Sequence, residues 1–278
     1  MQRILYATDG SDRALAAGRF LADLRCSPDT SVHVFTGTGL NRETDDTAAI
    51  LAAGRGAIGR FSGHTTLSSA PVRSWEETVE AIVNMATNIG ADMIVVGSRG
   101  HASPSSLLQR SVTEGVVATA PCHVLVARET SVPWHNVVIG VDGSEAGYQA
   151  LYWTIQEFPL PRECGILLVQ VVPPVPIEAA PGDTVPHDGA RIEEVRRDGD
   201  RLAVEIRREC GRAAAFQRLV GDPATMLVAT AAEHYGGLIV VGARGWTGVG
   251  APRLDNVSEH LVNDASCSVL IARETSRA

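Results

Sequence analysis

One stretch occurs twice in this chain: Ile94-Val95-Val96-Gly97-Ser98-Arg99-Gly100 and Ile239-Val240-Val241-Gly242-Ala243-Arg244-Gly245. A short apolar run of strand length that ends in Gly-x-x-Gly sets bare backbone N–H groups at the carboxyl edge of a sheet. Such an edge holds an anion or a small molecule in open α/β folds. The repeat also predicts an internal duplication, in keeping with 278 residues at roughly 150 per domain.

The duplication extends beyond that stretch. Ile4 to Thr8 reads as a strand ending at Asp9-Gly10-Ser11, and Val137 to Val141 as its counterpart ending at Asp142-Gly143-Ser144. Helical spacing marks a segment from about residue 12 to 25, with Leu15, Gly18, Leu21 and Ala22 inward. It marks others at residues 47–61 and at Val79, Ile82, Val83, Ala86 and Ile89, the last ending at Gly90. Strands are predicted near residues 31–36, 65–72, 92–96 and 123–127. The segment 129–135, with Pro133, reads as a linker between domains over residues 1–130 and 134–278.

In the second half, residues 173–189 read as a Pro- and Gly-rich surface loop, followed by a charged helix with Ile192, Val195, Leu202 and Ile206 on one stripe. Asp222-Pro223 signals a helix start. Strands apolar throughout and alternating with helices imply an α/β protein: two repeated doubly wound domains, each a mostly parallel sheet covered on both faces.

Composition narrows the function. A formal charge of −8 and a pI near 5.5 repel phosphate backbones and argue against a nucleic-acid partner. All 24 basic residues are arginine, which excludes a Walker A lysine, a Schiff base and any lysine nucleophile. No apolar run has membrane-spanning length and the first strand begins almost at once, so the expectation is a cytoplasmic protein without a membrane partner. Five cysteines without metal spacing read as structural thiols, with Cys122 and Cys267 at equivalent positions. No Gly-x-Ser-x-Gly or His-Glu-x-x-His is present, and His101 is a loop residue, so no enzyme is expected.

These motifs together resemble the universal stress protein family: strand-Asp-Gly-Ser, Gly221-Asp222-Pro223, Ile-Val-Val-Gly-x-Arg-Gly, and a Cys before a closing Val-Leu strand, most of them present twice. The resemblance implies a five-stranded sheet per half and antiparallel pairing of the last strands, residues 123–127 with 268–272. That pairing makes the halves an internal pseudo-dimer and leaves room for a further homodimer. It also implies ATP or another adenine nucleotide, with or without Mg, held through Gly-x2-Gly-x9-Gly-Ser.

Carried onto this chain, Gly97, Gly100 and Ser111 match the pattern, whereas Arg110 stands at the third glycine. Gly242 and Gly245 match in the second half, where Asp255 and Asn256 replace the Gly-Ser pair. Arg99 and Arg244 are candidate phosphate contacts. Asp9 and Asp142 match the family position at the end of the first strand, although Asp before Gly-Ser is also an ordinary turn. Thr36 and Val171 fall about where the second strand lines the adenine pocket.

The departures are unequal. Arg110 either obstructs phosphate or forks onto it. A carboxylate such as Asp255 at about 4 Å from a phosphate charge costs on the order of 4 kcal/mol at an effective dielectric of about 20, about three decades of affinity. The expectation is therefore a non-enzymatic nucleotide-binding stress or regulatory protein, with the first half the better site. The alternative is a pseudo-dimeric scaffold that has lost nucleotide binding.

Overall fold

A computed structural model describes residues 1–39, 46–98, 111–129, 135–172, 189–243 and 256–273. The first half runs β1 (Arg3–Ala7), α1 (Asp12–Asp23), β2 (Ser31–Thr38), α2 (Asp46–Ala57) and β3 (His64–Pro71), then α3 (Trp75–Ile89), β4 (Met93–Gly97), α4 (Val112–Thr119) and β5 (His123–Ala127). The second runs β6 (Asn136–Gly140), α5 (Glu145–Gln156), β7 (Gly165–Val172), α6 (Gly189–Cys210) and β8 (Ala214–Val220), then α7 (Pro223–Glu233), β9 (Gly236–Gly242), α8 (Asn256–Asp264) and β10 (Ser268–Ala272). The predicted linker falls largely at residues 130–134, and the predicted loop at residues 173–188, both outside the described residues.

The two five-stranded sheets join through their last strands into one ten-stranded sheet in the order β3-β2-β1-β4-β5-β10-β9-β6-β7-β8. Pairing within each half is parallel throughout. The exception is the seam, where β10 runs antiparallel to β5 with Leu270 opposite Leu125. Each of these strands thereby covers an edge that the other half would leave open. In the first half the strand order reverses between β1 and β4, and in the second between β6 and β9.

Two apolar layers cover the sheet and run unbroken across the seam. One holds Ile4, Tyr6, Leu125, Leu270 and Ile139, the other Leu5, Ile94, Val124, Val269 and Ile239. Period-two alternation along each strand assigns neighbours to opposite layers.

Local signals set the helix starts. Ser11 accepts from the Ala14 N–H at 3.3 Å and Ser74 from the Glu77 N–H at 3.2 Å. Asp222 accepts from the Thr225 N–H at 2.9 Å, with Pro223 opening α7. Gly90 ends α3 at φ 58, in the left-handed region that favours glycine.

The predicted inner face of α1 is rotated by about one residue. Ala14, Ala17, Gly18, Phe20 and Leu21 are buried, whereas Leu15 and Ala22 are only half-buried. Small residues sit where the helix comes closest to the strands, so side-chain size misleads there. On α6, Leu202 and Ile206 are buried as predicted, while the side chains of Ile192 and Val195 lie outside the described residues.

Candidate functional site

A cleft of about 690 Å³ opens at the carboxyl ends of β1, β2 and β4, at the point where strand order reverses. Its volume is of the size that takes a nucleotide or drug-sized molecule. The strands contribute Ala7, Phe35, Thr36, Gly37, Val96 and Gly97; the helices contribute Asp12, Arg13 and Ala14 from α1, Trp75, Thr78 and Ile82 from α3, and Val112 and Thr113 from α4. Thr8, Asp9, Ser11, Val72, Ser98 and Ser111 complete the lining from the connecting segments.

Of the residues singled out in the sequence, Asp9, Thr36, Gly97 and Ser111 meet in this cleft. Arg99, Gly100, Arg110, Arg244 and Gly245 lie outside the described residues, as do His101 and Asp255. Asn256 begins α8, and its side chain is likewise not described.

Gly97 is glycine because of the helix beside it. A Cβ there would stand 2.9 Å from both Cα and N of Ala14, and one at Gly242 would stand 3.0 Å from the Ala146 carbonyl. The first turns of α1 and α5 are therefore pressed against the ends of β4 and β9. The Gly97 carbonyl accepts from Thr113 Oγ1 at 3.0 Å, which fastens the start of α4 to the strand end.

Ser111 precedes α4 in extended conformation but makes no side-chain cap. The first N–H that bonds back within this helix is that of Gly115, to the Ser111 carbonyl at 2.9 Å. The first-turn N–H groups thus stand at the mouth of the cleft beside the Ser111 hydroxyl, an arrangement suited to an anion. The rest of the cleft wall is partly apolar (Phe35, Val72, Ile82, Val96), carries hydroxyls (Thr8, Thr36, Thr78) and includes the charged residues Asp9, Asp12 and Arg13 beside the start of α1.

The Asp-Gly-Ser turns serve structure first. Asp9 Oδ1 accepts from the Ser11 N–H at 3.0 Å, and Asp142 Oδ1 from the Ser144 N–H at 2.9 Å and the Ser144 hydroxyl at 2.6 Å. Gly10 and Gly143 take φ 77 and φ 78 between them.

The second half has the same frame with different walls. The Val141 N–H donates to the Val169 carbonyl at 2.9 Å, as the Thr8 N–H does to Phe35 at 2.9 Å. This register aligns Gln170 with Thr36 and sets Val171 at the position of Gly37. Val171 therefore lies one residue beyond the counterpart of Thr36 and packs into an apolar layer, because neighbours on a strand face opposite ways. Counting from the helix starts pairs Pro223 with Trp75 and Met226 with Thr78; Asn256 and Ser258 occupy the places of Ser111 and Thr113.

Sequence reasoning missed Thr8, Trp75, Thr78 and Thr113. Thr8 directly precedes Asp9, and Thr113 lies two residues after Ser111, so both were within reach of the motifs. Trp75 and Thr78 are brought in only by the packing of α3. Among the described residues no cluster of three or more His, Cys, Asp or Glu is placed to hold a metal, and no helix is long and apolar enough to cross a membrane.

The model of the Universal stress protein family matches residues 1–128 and again 133–273. Universal stress proteins of Mycobacterium tuberculosis strains CDC 1551 and H37Rv are each 29% identical over 202 residues, 71% of this chain. The chain spans 66% of the length of these relatives, just under two thirds. A universal stress protein structure from Archaeoglobus fulgidus superposes with TM-score 0.71 at 17% identity, covering 99% of this chain and 97% of its own. A functionally unknown protein from Pseudomonas aeruginosa PAO1 gives TM-score 0.67 at 13% identity, covering 99% and 93%. Both structures share the fold.

Proposed function

Because the chain belongs to the universal stress protein family, we propose that its first half binds an adenine nucleotide, as a regulatory or stress-response protein rather than a catalyst. The observation that carries this reading is the open cleft at the strand-order reversal, with the first turn of α4 and the Ser111 hydroxyl at its mouth. In such a site the ribose and base lie against the apolar and threonine-lined wall and the phosphates face the N–H groups. Each family match is read as one domain, and the antiparallel seam makes the pair an internal pseudo-dimer with room for further self-association. A cytoplasmic location belongs to this reading as well.

The second half is proposed to serve as the structural partner. Four hydroxyl positions of the first cleft, Thr8, Thr36, Thr78 and Ser111, are replaced there by Val141, Gln170, Met226 and Asn256. The same replacements favour a second reading, a scaffold in which neither half binds nucleotide.

Thermal unfolding separates the two. Saturating ATP with Mg, at about 100 times Kd, stabilises a binding protein by about 2.7 kcal/mol, a rise in Tm of several degrees. Gly221, whose N–H donates to the Val172 carbonyl as that of Val72 does to Thr38, stands at the place of Val72, so the exchange G37V/V72G gives the first cleft the second half's arrangement and is expected to abolish the shift. No shift in the unaltered protein, and no nucleotide released on denaturing it, favours the scaffold.

A further inference from the structure

Trp75 opens α3 and lines the cleft on the same helix face as Thr78. Its six-membered ring rests against α4 at Gly115, where a Cβ would stand 3.5 Å from Trp75 Cζ3 and 2.6 Å from Val79 Cγ2. Glycine at 115 thus lets the indole settle onto α4, and Trp75 is half-buried and lines the cleft. At the β2 end Gly37 lets Val72 close over the backbone: a Cβ there would stand 2.9 Å from Val72 Cγ2 and 3.6 Å from Thr78 Cγ2. Gly115 is four residues after Ser111, about 6 Å along α4 at 1.5 Å per residue. An aromatic surface and an anion-facing helix start therefore share one cleft at the separation of a ring from a nearby phosphate.

Resting on the nucleotide reading above, we propose that Trp75 is the base-stacking platform of this cleft and its selectivity determinant for planar aromatic ligands. The offset stacking of π systems favours such a contact, which is tolerant of which base is present. The second half carries Pro223 in place of Trp75 and Val171 in place of Gly37, so it offers no ring at this position.

Calorimetry with ATP and with inorganic tripolyphosphate on the unaltered protein, W75F and W75L tests this. Removing the ring in W75L is expected to weaken ATP by roughly five- to hundredfold, the range measured for base–aromatic stacking. Tripolyphosphate, which has no base to stack and meets only the helix start, is expected to change by less than about twofold, and W75F, which keeps an aromatic face, to keep most of the ATP affinity. ATP, but not tripolyphosphate, is also expected to quench the Trp75 contribution to the fluorescence, so that the quench is absent in W75F, which keeps Trp134, Trp153 and Trp246. ATP affinity unchanged in W75L, or equal loss of both ligands, overturns the platform while leaving nucleotide binding standing. An unaltered protein that binds no nucleotide overturns both.

Discussion

At Gly97 and Gly242 an added methyl group meets backbone atoms of α1 and α5 at 2.9 to 3.0 Å, and backbone cannot rotate aside as a side chain can. Substituting alanine at either position is expected to cost about 1–3 kcal/mol, the usual range for overpacking, read as a shift in the urea midpoint with or without nucleotide. A purely ligand-facing glycine would instead leave the apo midpoint unmoved. The thiols make a second prediction at this scale. Burial raises Cys122 to about 12 and Cys26, Cys164 and Cys267 to about 11. Unfolded thiols ionise near pH 8.5, so above that pH the unfolded state releases protons that the folded state keeps. Stability is therefore fully present below about pH 8.5 and falls as pH rises toward 11, which urea melts at pH 8 and pH 10 will show. At pH 8 a thiol reagent should label exposed Cys210 first.

Among the elements, the seam is held by more than strand pairing. Arg128, just past β5, donates to the Cys267 carbonyl at 3.1 Å and to the Val262 carbonyl near the end of α8. Arg273, just past β10, donates to the Val117 carbonyl near the end of α4. The two arginines thus cap each other's last helix across the seam, where the C-terminal carbonyls and helix dipole favour a cation. The main chains repeat the exchange: the Arg128 N–H donates to Ser268 Oγ at 3.0 Å and the Arg273 N–H to His123 Nδ1 at 3.1 Å. His123 in turn stacks on Trp153 of α5 with ring centroids 3.8 Å apart. R128M or R273M is expected to lower stability by about 1–3 kcal/mol, the cost of leaving buried carbonyls without a donor. The two effects should be similar in denaturant melts, and a negligible loss in both would show that strand pairing alone holds the seam.

Much of this architecture was legible in the sequence because it rests on local rules. The apolar strands, Ser and Asp caps, Gly90 at φ 58 and the closing strands at residues 123–127 and 268–272 all follow from short-range pattern. What was not legible depends on packing between elements. The burial of α1 turns on how closely Ala14 approaches Gly97, and the arginine caps join residues about 135 to 155 positions apart. The cleft was half legible: Asp9, Thr36, Gly97 and Ser111 came from motifs, whereas Trp75 and Thr78 enter only once α3 packs beside α4.

For the molecule as a whole, duplication has kept one frame and varied the residues at the two equivalent sheet edges. The seam and the two continuous apolar layers make each half a wall of the other's fold. The first cleft retains hydroxyls and Gly37, while the second half has Val171, Met226 and Gln170 in the corresponding places. The most direct measurement is isothermal titration of the full chain with ATP and Mg. The structure predicts one site per chain, lost in G37V/V72G and retained when the second half is altered by Val171→Gly. Two equivalent sites, or binding that survives the exchange in the first cleft, would contradict it.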